Sequence, residues 1–157
     1  MKWILIILLI FIIMLIAKAV SQQYSDKFEF YYNLNNFLNQ FKINLSFKHT
    51  KLLQFLNTVE AKKHFKIFIE AYKEYLTKNT LDLSQLTILS TDEIKELEDL
   101  ILNIGKYDST NEINQISQYV LAINNRLELA EKNKQKICPM IIKLSLLFAV
   151  GLAVILI

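Results

Sequence analysis

Residues 3–20 read WILIILLIFIIMLIAKAV, eighteen residues with one charge, Lys18, close to their end. Wound as a helix at about 1.5 Å per residue they span roughly 27 Å, near the ~30 Å hydrocarbon thickness of a bilayer. Residues 140–157 read MIIKLSLLFAVGLAVILI, again eighteen residues with one charge, Lys143. Each central Leu, Ile, Phe or Val favours insertion by about 0.3 to 0.6 kcal/mol. A lysine costs about 2.5 to 3.5 kcal/mol at the bilayer centre, but neither lysine is central, and each can snorkel to the headgroups. Both ends are therefore expected to be membrane helices, 1–20 and 138–157, with a soluble segment 21–137 between them. Trp3 suits an interface anchor. The first run also fits a secretory signal, with Lys2 before it and Ala17-Lys18-Ala19 as a small-residue cleavage site. An N-terminal sequence starting at Met1 separates the two readings.

Two uncleaved spans put both termini on one side of the membrane and the middle on the other. The middle carries Lys27 beside the first span and Arg126, Lys132, Lys134 and Lys136 before the second, against Lys2 on the far side. The positive-inside bias then makes the middle cytoplasmic.

The middle is 117 residues long, enough for one small core, and it is charge-balanced, with 15 Lys/Arg and 15 Asp/Glu. A neutral segment without a basic stripe argues against nucleic acid as partner. One cysteine, Cys138, leaves no intramolecular disulfide framework. Two Gly and one Pro supply few hairpin turns, which points to helices with short connections.

The apolar periodicity bears this out along the chain. Phe28, Tyr31, Leu34, Leu38, Phe41 and Leu45 step by three and four, a helix over Tyr24–Leu45 that no Gly or Pro separates from the first span. Thr50 suits the cap of a helix carrying Leu52, Leu53, Leu56 and Val59. Ala61–Thr77 forms a third, with Phe65, Phe68, Ile69, Tyr72, Tyr75 and Leu76 on one face and Lys62, Lys63, Lys66 and Lys73 largely on the other. Leu81, Leu83, Leu86 and Leu89 indicate a short fourth. Ser90-Thr91-Asp92-Glu93 has capping-box spacing and opens a fifth, whose apolar residues are Ile94, Leu97, Leu100, Ile101 and Ile104. Gly105 follows where a helix end wants positive φ. Ser109 and Glu112 form a second capping box ahead of Thr110–Ile137, with a seam at Ile113, Ile116, Val120, Ile123, Leu127 and Ala130. That seam suits an intrachain core or pairing with another copy. Pro139 should end or kink this helix and start the last span, a joint between domain and membrane. The expected architecture is all-α, a compact bundle of about six helices flanked by two transmembrane helices.

Candidate chemistry is sparse. Glu60 and His64 lie four apart, two metal ligands with no third. Cys138 at the interface is an acylation or thiol-sensing candidate, or inert. Glu93, Glu96, Glu98 and Asp99 make an acidic run, read as a solvated helix face. No phosphate-binding loop occurs. No cofactor and no catalytic set are expected.

The order of residues at the Gly105 turn is informative. "NIGKYDSTNEINQI" combines an apolar-Gly turn, an Asp three beyond the Gly, a long helix and a terminal span, and so resembles the stage III sporulation protein AB family. That family's pattern is Leu-Gly-x-x-Asp-x-x-x-Gln-x-x-x-Ile, which here falls on Ile104, Gly105, Asp108, Glu112 and Ile116. Phe47–Leu52, "FKHTKL", echoes a second motif, with Lys51 at its proline position. Ser145 and Ala149 stand where the family carries small glycines. The resemblance implies a helical domain similar to the inner-membrane platform of type II secretion and type IV pilus systems. It implies a non-enzymatic scaffold in the mother-cell membrane around the forespore, part of the channel joining the two cells. Its implied partners are a cytoplasmic sporulation ATPase and other stage III sporulation membrane proteins. Gly105 and Asp108 then form a helix–helix corner, and the Lys62, Lys63, Lys66 and Lys73 face is a candidate interface for an acidic partner. A dimerising receptor with a helical cytoplasmic domain is the alternative from another class, and a membrane enzyme a third.

Overall fold

The computed structural model describes residues 2–47, 51–105 and 109–156. Among them there are five helices and no strand: α1 Lys2–Phe47, α2 Leu52–Thr58, α3 Lys63–Lys78, α4 Thr91–Asn103 and α5 Ser109–Leu156. The all-α expectation and the two long apolar terminal helices hold. The count of about six does not, and the segment before α4 accounts for the difference. Between Asn79 and Ser90 the chain makes consecutive turns, with Leu86 N–H on Leu83 O and Leu89 N–H on Leu86 O at 3.0 and 3.1 Å. Leu83, Leu86 and Leu89 are all buried. A three-residue repeat with i→i+3 bonds is tighter than an α-helix. The Asp82 side chain also takes the Ser84 N–H at 2.9 Å, a local bond that competes with helix formation.

The chain forms two compact units. Unit 1 is residues 1–28 with 128–157, and unit 2 is residues 29–127. These boundaries follow internal contacts. The expected ones, at 20/21 and 137/138, follow hydropathy, and they mark a different property of the chain.

Unit 2 is built on the second half of α1, which meets each of the other four helices. Phe37 and Phe41 lie 5.6 and 5.3 Å from Phe55 of α2, ring centre to ring centre. Phe30 lies 6.3 and 6.0 Å from Phe65 and Phe68 of α3, both edge-to-face, an arrangement that suits the ring quadrupoles. Tyr31 donates to Glu93 of α4, and Asn35 to Asn124 of α5 at 2.8 Å. Hence α1 buries more than a two-column seam. Phe30 and Phe37, outside the expected set, are as buried as Leu34 and Leu38 inside it. Helix α3 ends on Asn79 at φ 58, whose N–H bonds Tyr75 O at 2.9 Å, a left-handed cap that Asn tolerates. The expected cap Thr50 lies outside the described residues. In the structure Lys51 occupies the N-cap position of α2, without a side-chain cap bond.

Unit 1 pairs the start of α1 with the end of α5. Ala17, Ile6, Ala130 and Ala149 are buried in it, while Ile7, Phe11, Leu147 and Phe148 are each more than 60 % exposed. Small residues at the contact let helix backbones approach, the pattern of helix pairs in lipid. Helix α5 runs through Pro139 without interruption, so the helix end expected there is absent. Proline removes one N–H and its bond to the carbonyl four residues back. Within a long helix the other bonds continue past it, and membrane helices tolerate such a loss.

Candidate functional site

The turn from α4 to α5 is held by a buried carboxyl. Helix α4 closes with Ile104 N–H on Leu100 O at 3.0 Å. Gly105 follows at φ +92, a conformation L side chains rarely adopt, and a Cβ there would stand 3.4 Å from the Leu52 side chain. The Gly105 N–H donates to Glu112 Oε1 at 2.6 Å. Glu112 is 2 % exposed. The carboxyl thus reaches seven residues back across the turn. The box expected between Glu112 and Ser109 falls on a side chain outside the described ones, and Asp108 lies outside them too. Ile104 and Ile116, the first and last positions of the motif, are both buried and pack the corner's two helices into the core.

Tyr72 of α3 belongs to the same region. Its ring is fully buried, and its hydroxyl has no hydrogen-bond partner among the described residues. Burial pushes its ionisation far up, and the charge of Glu112 adds to that.

The Ser90–Glu93 box is present in both halves, Ser90 N–H on Glu93 Oε2 at 2.8 Å and Glu93 N–H on Ser90 Oγ at 3.4 Å. The glutamate does one thing more. Its Oε1 accepts from the Tyr31 hydroxyl at 2.9 Å, so the cap of α4 is also a buried tie to α1. Burial first, and then the Glu93 carboxyl, raise the Tyr31 ionisation far above its ordinary value. The rest of the acidic run serves separate partners. Glu96 takes both the Nε and Nη2 of Arg126, with Nε at 3.0 Å, which raises the guanidinium further. Asp99 takes the Tyr119 hydroxyl at 2.9 Å and the Asn103 amide at 2.8 Å. Glu93, Glu96 and Asp99 of the run thus tie α4 to its neighbours. Sequence spacing gave no sign of Tyr31, Arg126 and Tyr119, which come from α1 and α5, whereas Asn103 lies one turn on in α4 itself.

The four lysines of the proposed interface are not equivalent. Lys63 pairs with Glu29 of α1 at 2.7 Å. Lys66 pairs loosely with Glu70 at 3.7 Å, both well exposed. Lys62 is exposed and Lys73 half-buried. Lys63 acts within the fold, and Lys62, Lys66 and Lys73 make up the outward cationic set. Of the other candidates, His49 lies outside the described residues, and the buried Nδ1 of His64 has no partner among them. Among the described residues no three His, Cys, Asp or Glu side chains converge on a common point. In unit 1, Cys138 Sγ lies 3.4 Å from the Ser21 carbonyl oxygen.

The family model described as stage III sporulation protein AB matches residues 2–157, nearly the whole chain. No curated protein and no solved structure matches it.

Proposed function

The chain belongs to the stage III sporulation protein AB family, which acts in stage III sporulation, and on that premise we propose that it is a membrane-anchored platform of the channel between mother cell and forespore. The apolar ends of α1 and α5 cross the mother-cell membrane, and the bundle lies in the cytoplasm. There it docks a cytoplasmic ATPase and other stage III sporulation membrane proteins. Its work is recruitment.

The observation that carries this reading is the exposure of the terminal helices. Only 11 % of the most apolar window of α1 and 6 % of that of α5 is buried within the structure. A core helix of a soluble protein hides such a window, and a membrane helix presents it to lipid. Each of these helices also extends, as one element, into the bundle. Lys27, Lys132, Lys134 and Lys136 at the bundle side of the apolar segments support the cytoplasmic orientation. Lys62, Lys66 and Lys73 offer a face to an acidic partner. The exposed Lys66–Glu70 pair is weak enough to yield to it.

The receptor alternative rested on the α5 seam. Ile116, Ile123 and Ala130 are buried within the chain, and Ile113, Val120 and Leu127 half-buried, so that seam is occupied without a second copy. The reading is tested in sporulating cells. Reversing Lys62, Lys66 and Lys73 to Glu is expected to abolish co-purification of the ATPase and lower spore yield, with the bundle still folded. Unchanged pull-down and yield remove this face from the docking role. In a Cys138→Ser background, Thr80→Cys is expected to react with an impermeant maleimide after permeabilisation and not before. Labelling of intact cells reverses the orientation.

A further inference from the structure

Within unit 1 the two helices leave an open groove of about 840 Å³. That lies in the ~300–1,000 Å³ range of small-ligand sites. Its α1 wall runs from Phe11 to Ser25, roughly 20 Å of helix, and its α5 wall from Lys134 to Ile142. Along both walls the chemistry changes in the same sense. One end is apolar, made by Phe11, Met14, Leu15 and Ile142. The other end is polar, made by Lys18, Ser21, Gln22, Lys134 and Gln135. The charged side chains of the lining are Lys18 and Lys134, both cations. Lys134 is held in place over the Phe28 ring, with Nζ 4.5 Å from the ring centre. The amides of Gln22 and Gln135 are held one helical turn away, by Asp26 at 3.0 Å and Glu131 at 3.1 Å, and neither carboxyl lines the groove.

From this we infer that the groove is a binding site for one anionic phospholipid. The acyl chains lie along the Phe11–Leu15 and Ile142 end, and the phosphate-bearing headgroup lies toward Lys134, with Lys18 lower on the α1 wall. The inference rests on the membrane reading above, which puts Lys134 at headgroup level and the apolar end in hydrocarbon. A solvating lipid of either charge would satisfy the apolar end. Both charges along the walls are cations, at two depths of the groove, and with no acid in the lining they select the anionic one. A lysine close to an anionic lipid surface strengthens binding roughly fivefold, and Lys134 stands at the headgroup end.

Full-length protein in mild detergent is incubated with phosphatidylglycerol or with phosphatidylcholine, and retained lipid is counted by native mass spectrometry. Wild type is expected to retain one phosphatidylglycerol in preference to phosphatidylcholine. Lys18→Gln with Lys134→Gln should lower that preference by roughly fivefold or more. Lys132→Gln with Lys136→Gln, an equal loss of charge away from the groove, should keep it. Ser21→Trp, which fills the groove and spares both lysines, should abolish retention and so tests the site even if the double variant fails to fold. Equal retention of the two lipids, or equal loss in both lysine pairs, overturns the inference. Displacement of the lipid by millimolar inorganic phosphate overturns it too, because the site would then read a phosphate alone. Carbonate extraction is run beside it. Protein released from membranes by carbonate defeats the membrane reading itself, whereas protein that stays with them while showing no lipid preference defeats the groove site alone.

Discussion

Phe11 and Phe30 belong to the same helix, yet the first is 63 % exposed and the second 1 %. The first half of α1 is the more apolar, and it is the half whose side chains face outward. Hydrophobicity alone therefore does not say what a residue packs against. In unit 2 apolar groups must be hidden from water by other apolar groups, and a closed aromatic core results. In unit 1 the surroundings we propose are lipid, which competes on equal terms with protein for apolar contact. Burial there falls to small residues such as Ala17 and Ala149, where helices approach closely.

This contrast can be broken at its strongest point. Phe68→Ala or Leu34→Ala should cost the bundle about 3 to 5 kcal/mol through lost burial and a residual cavity. Phe11→Ala, with most of its ring already outside the fold, should cost under about 1 kcal/mol. Urea unfolding of detergent-solubilised protein, followed by far-ultraviolet circular dichroism, measures both. Similar losses at the two sites would mean that the terminal helices are packed as a core. The Gly105 turn comes next in size. Gly105→Ala should lose about 1 to 3 kcal/mol, because alanine is strained at φ +92. Glu112→Ala should lose a comparable amount by leaving the Gly105 N–H without its acceptor. A double variant that loses less than the sum of the two shows that they act as one device.

The smallest effect is one of pH. Tyr31 and Tyr72 both ionise well above the ordinary 10.0 in the folded bundle. Unfolding frees these phenols to lose their protons at that ordinary value. Their contribution to stability is therefore intact below about pH 10 and is lost as pH rises beyond it. The urea midpoint of the wild type should be flat from pH 8 to near 10 and then fall. Tyr31→Phe with Tyr72→Phe should fall less steeply, at a price of about 1 kcal/mol at neutral pH for the Tyr31–Glu93 bond. Identical profiles would show that other groups govern the alkaline limit.

Much of this molecule is local and was legible as such. The spans follow from runs of apolar residues, and α3 and α4 from a repeat of three and four. The start of α4 follows from Ser90 and Glu93, and the α4–α5 turn from Gly105. The segment containing Leu81 to Leu89 misled because spacing by three suits a turn series as well as a short helix. The Asp82–Ser84 bond was the available sign of turns. Of the end or kink expected at Pro139, the end is absent because a proline removes one bond, whereas a 48-residue helix has many others.

The sequence by itself determined what depends on neighbours within about one helical turn, namely periodicity, caps, glycine's freedom and the apolar ends. The tertiary structure alone decided that both apolar columns of α1, Phe30 with Phe37 as well as Leu34 with Leu38, would be covered, because that depends on how many helices surround it. It also decided the partners of the buried polar groups. Tyr31 meets Glu93 across 62 positions and Arg126 meets Glu96 across 30. No rule of spacing reaches that far. Such pairs form because a polar group taken out of water must find its partner wherever the packed core brings one.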